Sequence, residues 1–252
     1  MRLESQNYFL SSFSSLSLTF HKPTKVIVVN PHDSIIKSPV FQGQLQERKT
    51  GFRGSDVNVL SIVKDIASQT NINFVHAVIP RQFLDVNRAD TDDNKEDSPY
   101  VDSRLFPYYF DFHQNVFLLV QESVETFGED GVLVLVLHGF KEQPLGGTEY
   151  DLILGTQHRE SLRSKSCADK NFANFFARQG YAIYTPEALF KPGERYDAHR
   201  SYVVNSIRAE FNVDVMQIEI NYKYRNEMAR AEGKLLSKTF AEFIKNNYNY
   251  NS

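Results

Sequence analysis

The chain has 252 residues, with 28 Lys and Arg against 31 Asp and Glu for a formal net charge of −3, and 41% of it is hydrophobic. This is an ordinary globular composition, and its near balance of sign, without a long block of like charge, argues against nucleic-acid and membrane partners. The single cysteine, Cys167, excludes an intrachain disulfide framework and any C-x-x-C site, so a metal ion here would sit on His and carboxylates. The longest apolar run, residues 132–137, is far short of the ~20 residues of a membrane span. The first twenty residues lack a clear signal-peptide core and read as a first strand or arm (1–24), so a cytoplasmic protein is expected.

In chain order, residues 25–30 (KVIVVN) form a β-branched run that stops at Pro31, as a buried strand feeding a loop does. From Ser55 the spacing of Val57, Leu60, Val63 or Lys64 and Ala67 predicts a helix, with Ser55 as its N-cap and Asp56 opening it. Residues 73–79 (NFVHAVI) predict a strand ended by Pro80. Residues 89–100 are acidic and nearly free of apolar side chains, and predict a mobile surface loop.

Pro107 opens a long helix whose face is Tyr109, Phe112, Val116, Leu119 or Val120 and Val124, with Gly128 as its stop. Residues 132–140 (VLVLVLHGF) predict a central strand buried on both faces, with His138 at its C-terminal edge. A short strand at 150–154, a helix over 161–179 containing Cys167 and closed by Gly180, a strand at 181–184, a strand at 214–220 and a helix-rich tail from about Tyr224 complete the pattern. Strands alternate with helices throughout, which predicts one α/β domain spanning 1–252, with a mostly parallel or mixed central sheet and helices on both faces.

Three strands end beside a residue suited to metal or proton chemistry: His32, His138 and Glu219. Ligands of α/β sheets bind beyond the carboxyl ends of the strands, so these side chains are expected to converge. A hydrolytic zinc ion needs three protein ligands and an open position, and two histidines with one carboxylate form a standard set. His32 and His138 supply the histidines. Asp56 is the preferred carboxylate, with Glu47, Asp33 and Glu142 as competitors, and another divalent ion would also suit this set. Glu219, between Ile218 and Ile220, is placed to act as the general base.

The segment RQFLDVNR carries Arg81, Asp85, Asn87 and Arg88 after a strand, which suits a clamp for the carboxylate of an acidic substrate; the competing expectation is that Asp85 pairs with an Arg and fixes the loop. Of the other histidines, His21, His76 and His113 are assigned to structure, while His199 is nearer to a substrate than His158. A serine hydrolase is disfavoured because no G-x-S-x-G occurs. No glycine-rich nucleotide loop occurs either.

Taken in order, NPHDSIIKSP, GSDVNVL, PRQFLDVNR, YYFDFHQNV, VLHGF, DLILGT and MQIEINYKY resemble the N-formylglutamate amidohydrolase family over roughly residues 26–224. The resemblance implies a zinc-exopeptidase-like fold and a zinc-dependent hydrolase that cleaves an amide bond in a small acidic substrate: an N-acyl amino acid, a γ-glutamyl amide or a peptide-like amide. It makes His32, Asp56 and His138 the metal ligands, Glu219 the catalytic base, and Arg81, Asn87 and Arg88 the holders of a substrate carboxylate. Val136 and Gly139 stand where that family has Asp and Ser. The alternative class is a non-catalytic chain that binds an acidic ligand or a protein partner.

Overall fold

The computed structural model describes residues 8–9, 18–19, 22–33, 45–48, 51, 54–70, 72–90, 98–142, 148–185, 196, 198–226, 228 and 230–248. His21, residues 91–97 of the acidic loop and most of the N-terminal arm lie outside them. Within the arm, β1 (Tyr8–Phe9) pairs antiparallel with β2 (Leu18–Thr19).

The main sheet is built from β3 (Val26–Asn30), β4 (Asn73–His76), β5 (Leu133–Phe140), β6 (Leu152–Gly155), β7 (Ile183–Tyr184) and β8 (Asp214–Asn221). Their spatial order is β4-β3-β5-β8-β6-β7. Pairing is parallel except between β6 and β8, so the sheet is mixed. Alternation along β5 explains its burial on both sides. Leu133, Leu135 and Leu137 pack with α1 (Val59–Ala67), α3 (Ala168–Arg178) and α5 (Arg230–Tyr248), whereas Val134 and Val136 pack with α2 (Phe106–Phe127) and α4 (Tyr202–Glu210). Each fully buried Val or Leu contributes about 1.5–3 kcal/mol relative to exposure. Among the described residues no helix is long and apolar enough to cross a membrane.

The long helix α2 keeps the bounds its pattern predicts to within one residue, because Pro107 opens its first turn and Gly128 leaves it at φ +74. Other elements differ from the sequence reading. The helix expected to open at Asp56 begins at Val59, with Asn58 rather than Ser55 at the N-cap position. The reason is that Ser55 Oγ and Asp56 N–H both donate to the carbonyl of His32, at 2.8 and 3.1 Å, which holds this segment in an extended approach to the β3 loop. The helix's Leu60 N–H is instead capped by the Asp33 carboxylate at 2.5 Å.

The helix expected over 161–179 starts only at Ala168. Residues 161–167 turn along the start of β8, where Ser161 Oγ donates to Val215 O at 2.7 Å and Ser166 Oγ to the Asp214 carboxylate at 2.7 Å. Cys167 therefore sits at the N-cap position, exposed, and not inside a helix. The strand expected over 73–79 ends at His76, and the strand expected at 181–184 is cut to Ile183–Tyr184. In the tail a 3-10 turn (Tyr222–Tyr224) precedes α5. Helix α4 is an element the sequence reading lacked; Ser201 caps it by accepting from Val204 N–H, and Val203, Val204 and Ile207 bury its inner face.

Candidate metal centre

His32 leaves β3 two residues beyond the strand end, in a turn held by Asn30, whose Oδ1 accepts from the N–H groups of His32 and Asp33 at 3.3 and 3.1 Å. Because the His32 carbonyl draws in Ser55 and Asp56, the loop before α1 is brought over the same sheet edge. His138 lies on β5, directly beside Glu219 on β8 in the parallel register. Chain segments far apart in sequence thus meet at one end of three adjacent strands.

The meeting is close. His32 Nδ1 lies 3.0 Å from His138 Nδ1, and Asp56 Oδ2 lies 3.4 Å from the first and 3.1 Å from the second. Ligand atoms around a tetrahedral zinc, each about 2.0–2.2 Å from the ion, stand about 3.3 Å apart. The three donor atoms thus form a triangle of the size that one face of such a site requires, and all three residues are buried. Two imidazoles and a carboxylate are also the right chemical set, so the residues fit a divalent ion. Of the competing carboxylates, Asp33 is engaged on α1, while Glu47 and Glu142 are exposed.

His32 is oriented from behind. Its Nε2 lies 2.7 Å from Asp85 Oδ1, so Nε2 is the nitrogen that would keep its proton when Nδ1 gives its lone pair to an ion. Asp85 is fully buried and also accepts from Arg81 Nε at 2.9 Å, Arg48 Nη1 at 3.4 Å and Asn87 N–H at 3.1 Å. These partners and the nearby His32 and Arg81 charges hold its carboxyl well below the usual range despite burial. Asp56 is held low in the same way by hydrogen bonds from His138 and His32. Glu219 differs. It is buried with Gln217 Nε2 donating to Oε1 at 3.1 Å, and desolvation pushes its carboxyl up to about 7.

Of the two expectations for RQFLDVNR, the pairing of Asp85 with an Arg is seen, with Arg81 as the partner, and Asn87 of the same loop faces the centre. Asn87 Oδ1 accepts from Ser201 Oγ at 2.8 Å and Val203 N–H at 3.1 Å, which turns its Nδ2 toward His138 Nε2 at 3.4 Å. Three successive carbonyls of this loop are pinned by helices on the same face. His113 of α2 bonds Val86 O, Tyr202 N–H of α4 bonds Asn87 O at 3.3 Å, and Tyr109 OH bonds Arg88 O at 2.8 Å. Arg88 itself donates from Nη1 to Asn87 O at 3.1 Å. His199 packs edge-on against His158, with ring centroids 5.3 Å apart.

Burial pushes His113 down to about 4, so it is neutral in the folded protein. Its folded pKa is below its unfolded value near 6.5, so its contribution to stability is complete above pH 6.5 and is lost as pH falls from there toward 4. Comparing urea unfolding of the protein with that of His113→Asn at pH 7.5 and 4.5, the stability difference is expected to shrink by about 2–3 kcal/mol at the lower pH. An unchanged difference would show that His113 is not buried as a neutral ring.

Sequence reasoning missed the buried Arg48, for which nothing in the surrounding polar stretch is a signal, and Asp85 as the partner of His32. It also left Val136 and Gly139 without a structural reason. Val136 is fully buried in the apolar layer beneath the centre. At Gly139 a Cβ would lie 2.2 Å from Cζ of Arg225.

No protein-family model matches the sequence, and no curated protein matches it. Among solved structures, the chain is similar to N-formylglutamate amidohydrolase from Ralstonia eutropha JMP134, with 18% identity and a TM-score of 0.64, covering 92% of this chain and 98% of that one. It is similar to the gene product Atu2144 from Agrobacterium tumefaciens, at 15% identity and the same TM-score, over 92% and 94% of the two chains. These likenesses establish a shared fold over nearly the whole length.

Proposed function

We propose that this chain is a metal-dependent amidohydrolase that cleaves an amide bond in a small acidic substrate, of the N-acyl amino acid or γ-glutamyl amide class. The observation that carries the proposal is the buried triangle of His32 Nδ1, His138 Nδ1 and Asp56 Oδ2, with sides of 3.0–3.4 Å, beside the buried carboxyl of Glu219. The fold shared with an N-formylglutamate amidohydrolase supports it.

His32, Asp56 and His138 would hold the ion, with zinc the best fit to two nitrogens and one carboxylate oxygen. A bound divalent ion supplies Lewis acidity, polarising the amide carbonyl and lowering the pKa of water to ~7. The rest of the chemistry falls to the protein. Glu219, raised to about 7 by burial, is matched to accept a proton from the attacking water and to return it to the departing nitrogen as the C–N bond breaks and the C–O bond forms. Asp85 keeps His32 in the tautomer with a free Nδ1. Asn87 and Arg88, on a loop whose carbonyls are fixed from behind, would hold the substrate carboxylate together with Arg81, and His199 would border the substrate.

Hydrolysis of N-formyl-, N-acetyl- and γ-glutamyl amides by zinc-supplemented protein, followed by release of the free amine, tests the proposal. Turnover of acidic amides, abolished by a chelator and restored by zinc, is expected, with their neutral counterparts at least ~10-fold poorer in kcat/KM because a buried clamp is left unpaired. Absence of turnover across the whole set with metal bound would overturn it.

A further inference from the structure

Arg225 belongs to the sequence YKYRNE, which looks like an exposed basic turn, yet it is 4% exposed. The ion pairs of the described residues do not include it. Its guanidinium instead donates to three backbone carbonyls: Nη1 to Val57 at 2.7 Å, Nη2 to Phe140 at 3.0 Å and Nε to Ile220 at 3.0 Å. Its own carbonyl accepts from Asn58 Nδ2 at 2.6 Å.

The identity of those carbonyls is informative. Val57 follows Asp56, Phe140 is two residues beyond His138, and Ile220 follows Glu219. The guanidinium occupies the space a side chain at Gly139 would need, and the Tyr222 ring lies 5.6 Å from Cζ. Asp56, Glu219 and Asp33 all act on its charge from a distance. A lysine has no planar fork that reaches three acceptors in fixed directions, whereas arginine does.

We propose that Arg225 is the positioning residue of this centre: seated in the space left by Gly139, one guanidinium ties together the three chain segments that carry Asp56, His138 and Glu219. The proposal rests on the metal-centre reading above. It also accounts for glycine at position 139, since a Cβ there displaces the Arg225 guanidinium.

Zinc titration calorimetry and thermal unfolding of the metal-free protein, applied to Arg225→Met, Arg225→Lys, Gly139→Ala and the Gly139→Ala/Arg225→Met double variant, test it. Each single variant is expected to bind zinc 10–100-fold more weakly, as loss of a supporting residue does. Arg225→Lys, which keeps the charge, recovers less than about threefold of that loss and serves if Arg225→Met does not fold. The double variant is expected to be no worse than the poorer single variant, because both changes remove one contact. Wild-type zinc affinity in Arg225→Met or Arg225→Lys would overturn the proposal. A wild-type protein that binds no zinc would overturn the functional reading instead; melting-temperature losses that add in the double variant would then overturn the role of Arg225, and losses that do not add would support it.

Discussion

Replacing Glu219 by Gln is expected to lower turnover by about 10²–10⁴-fold, the usual worth of a general base, while making the metal-free protein more stable at pH 8. Burial raises this carboxyl to about 7, above its ordinary value of 4.5. A carboxyl whose folded pKa is raised holds its proton more tightly in the native state. Its ionisation therefore opposes folding, fully so above pH 7 and not at all below pH 4.5. The variant's advantage is expected to reach about 3 kcal/mol at most at pH 8 and to vanish by pH 4.5. The amide oxygen of Gln still accepts from Gln217 Nε2. Urea unfolding of both metal-free proteins at the two pH values decides the matter. A variant that is less stable than the parent at pH 8 would show that Glu219 is held as an ordinary structural carboxylate.

Replacement of Asp85 by Ala is expected to produce the largest loss of stability. Its carboxylate is fully buried and faces His32, Arg81 and Arg48. Removing it leaves buried cationic groups without their counter-charge, which costs about 3–5 kcal/mol. His32 also loses the acceptor that fixes its tautomer, so zinc affinity of the folded variant is expected to fall by about 10–100-fold. A denaturation midpoint within about 1 kcal/mol of the parent, with zinc affinity unchanged, would contradict both parts.

The sheet strands and the long helix were legible because their signals are local. Apolar, β-branched runs marked β3 and β5, the strand formers Val215, Ile218 and Ile220 marked β8, and Pro107 with Gly128 bracketed α2. The candidate site was legible through the same strands, since His32, His138 and Glu219 each follow or end one of them. What was not legible depends on contacts distant in sequence. Asp56 reads as a helix opener until the His32 carbonyl is seen to draw its N–H away. Asp85 reads as a loop residue until the fold brings His32 across 53 positions to meet it. Arg225 sits among Tyr, Lys and Asn, and no local pattern distinguishes a buried arginine from a solvated one. The antiparallel β6 was hidden for the same reason, because its direction is set by pairing with β8 and not by its own four residues.

The most direct measurement is the metal content of protein purified without chelator or added metal, read by elemental mass spectrometry alongside His32→Ala and His138→Ala. About one zinc per chain is expected, falling below ~0.1 in both variants, since a three-ligand site that loses one imidazole no longer competes for the ion. Failure of the parent protein to hold any divalent ion, even after zinc is supplied, would contradict the assignment of His32, Asp56 and His138 as a metal centre.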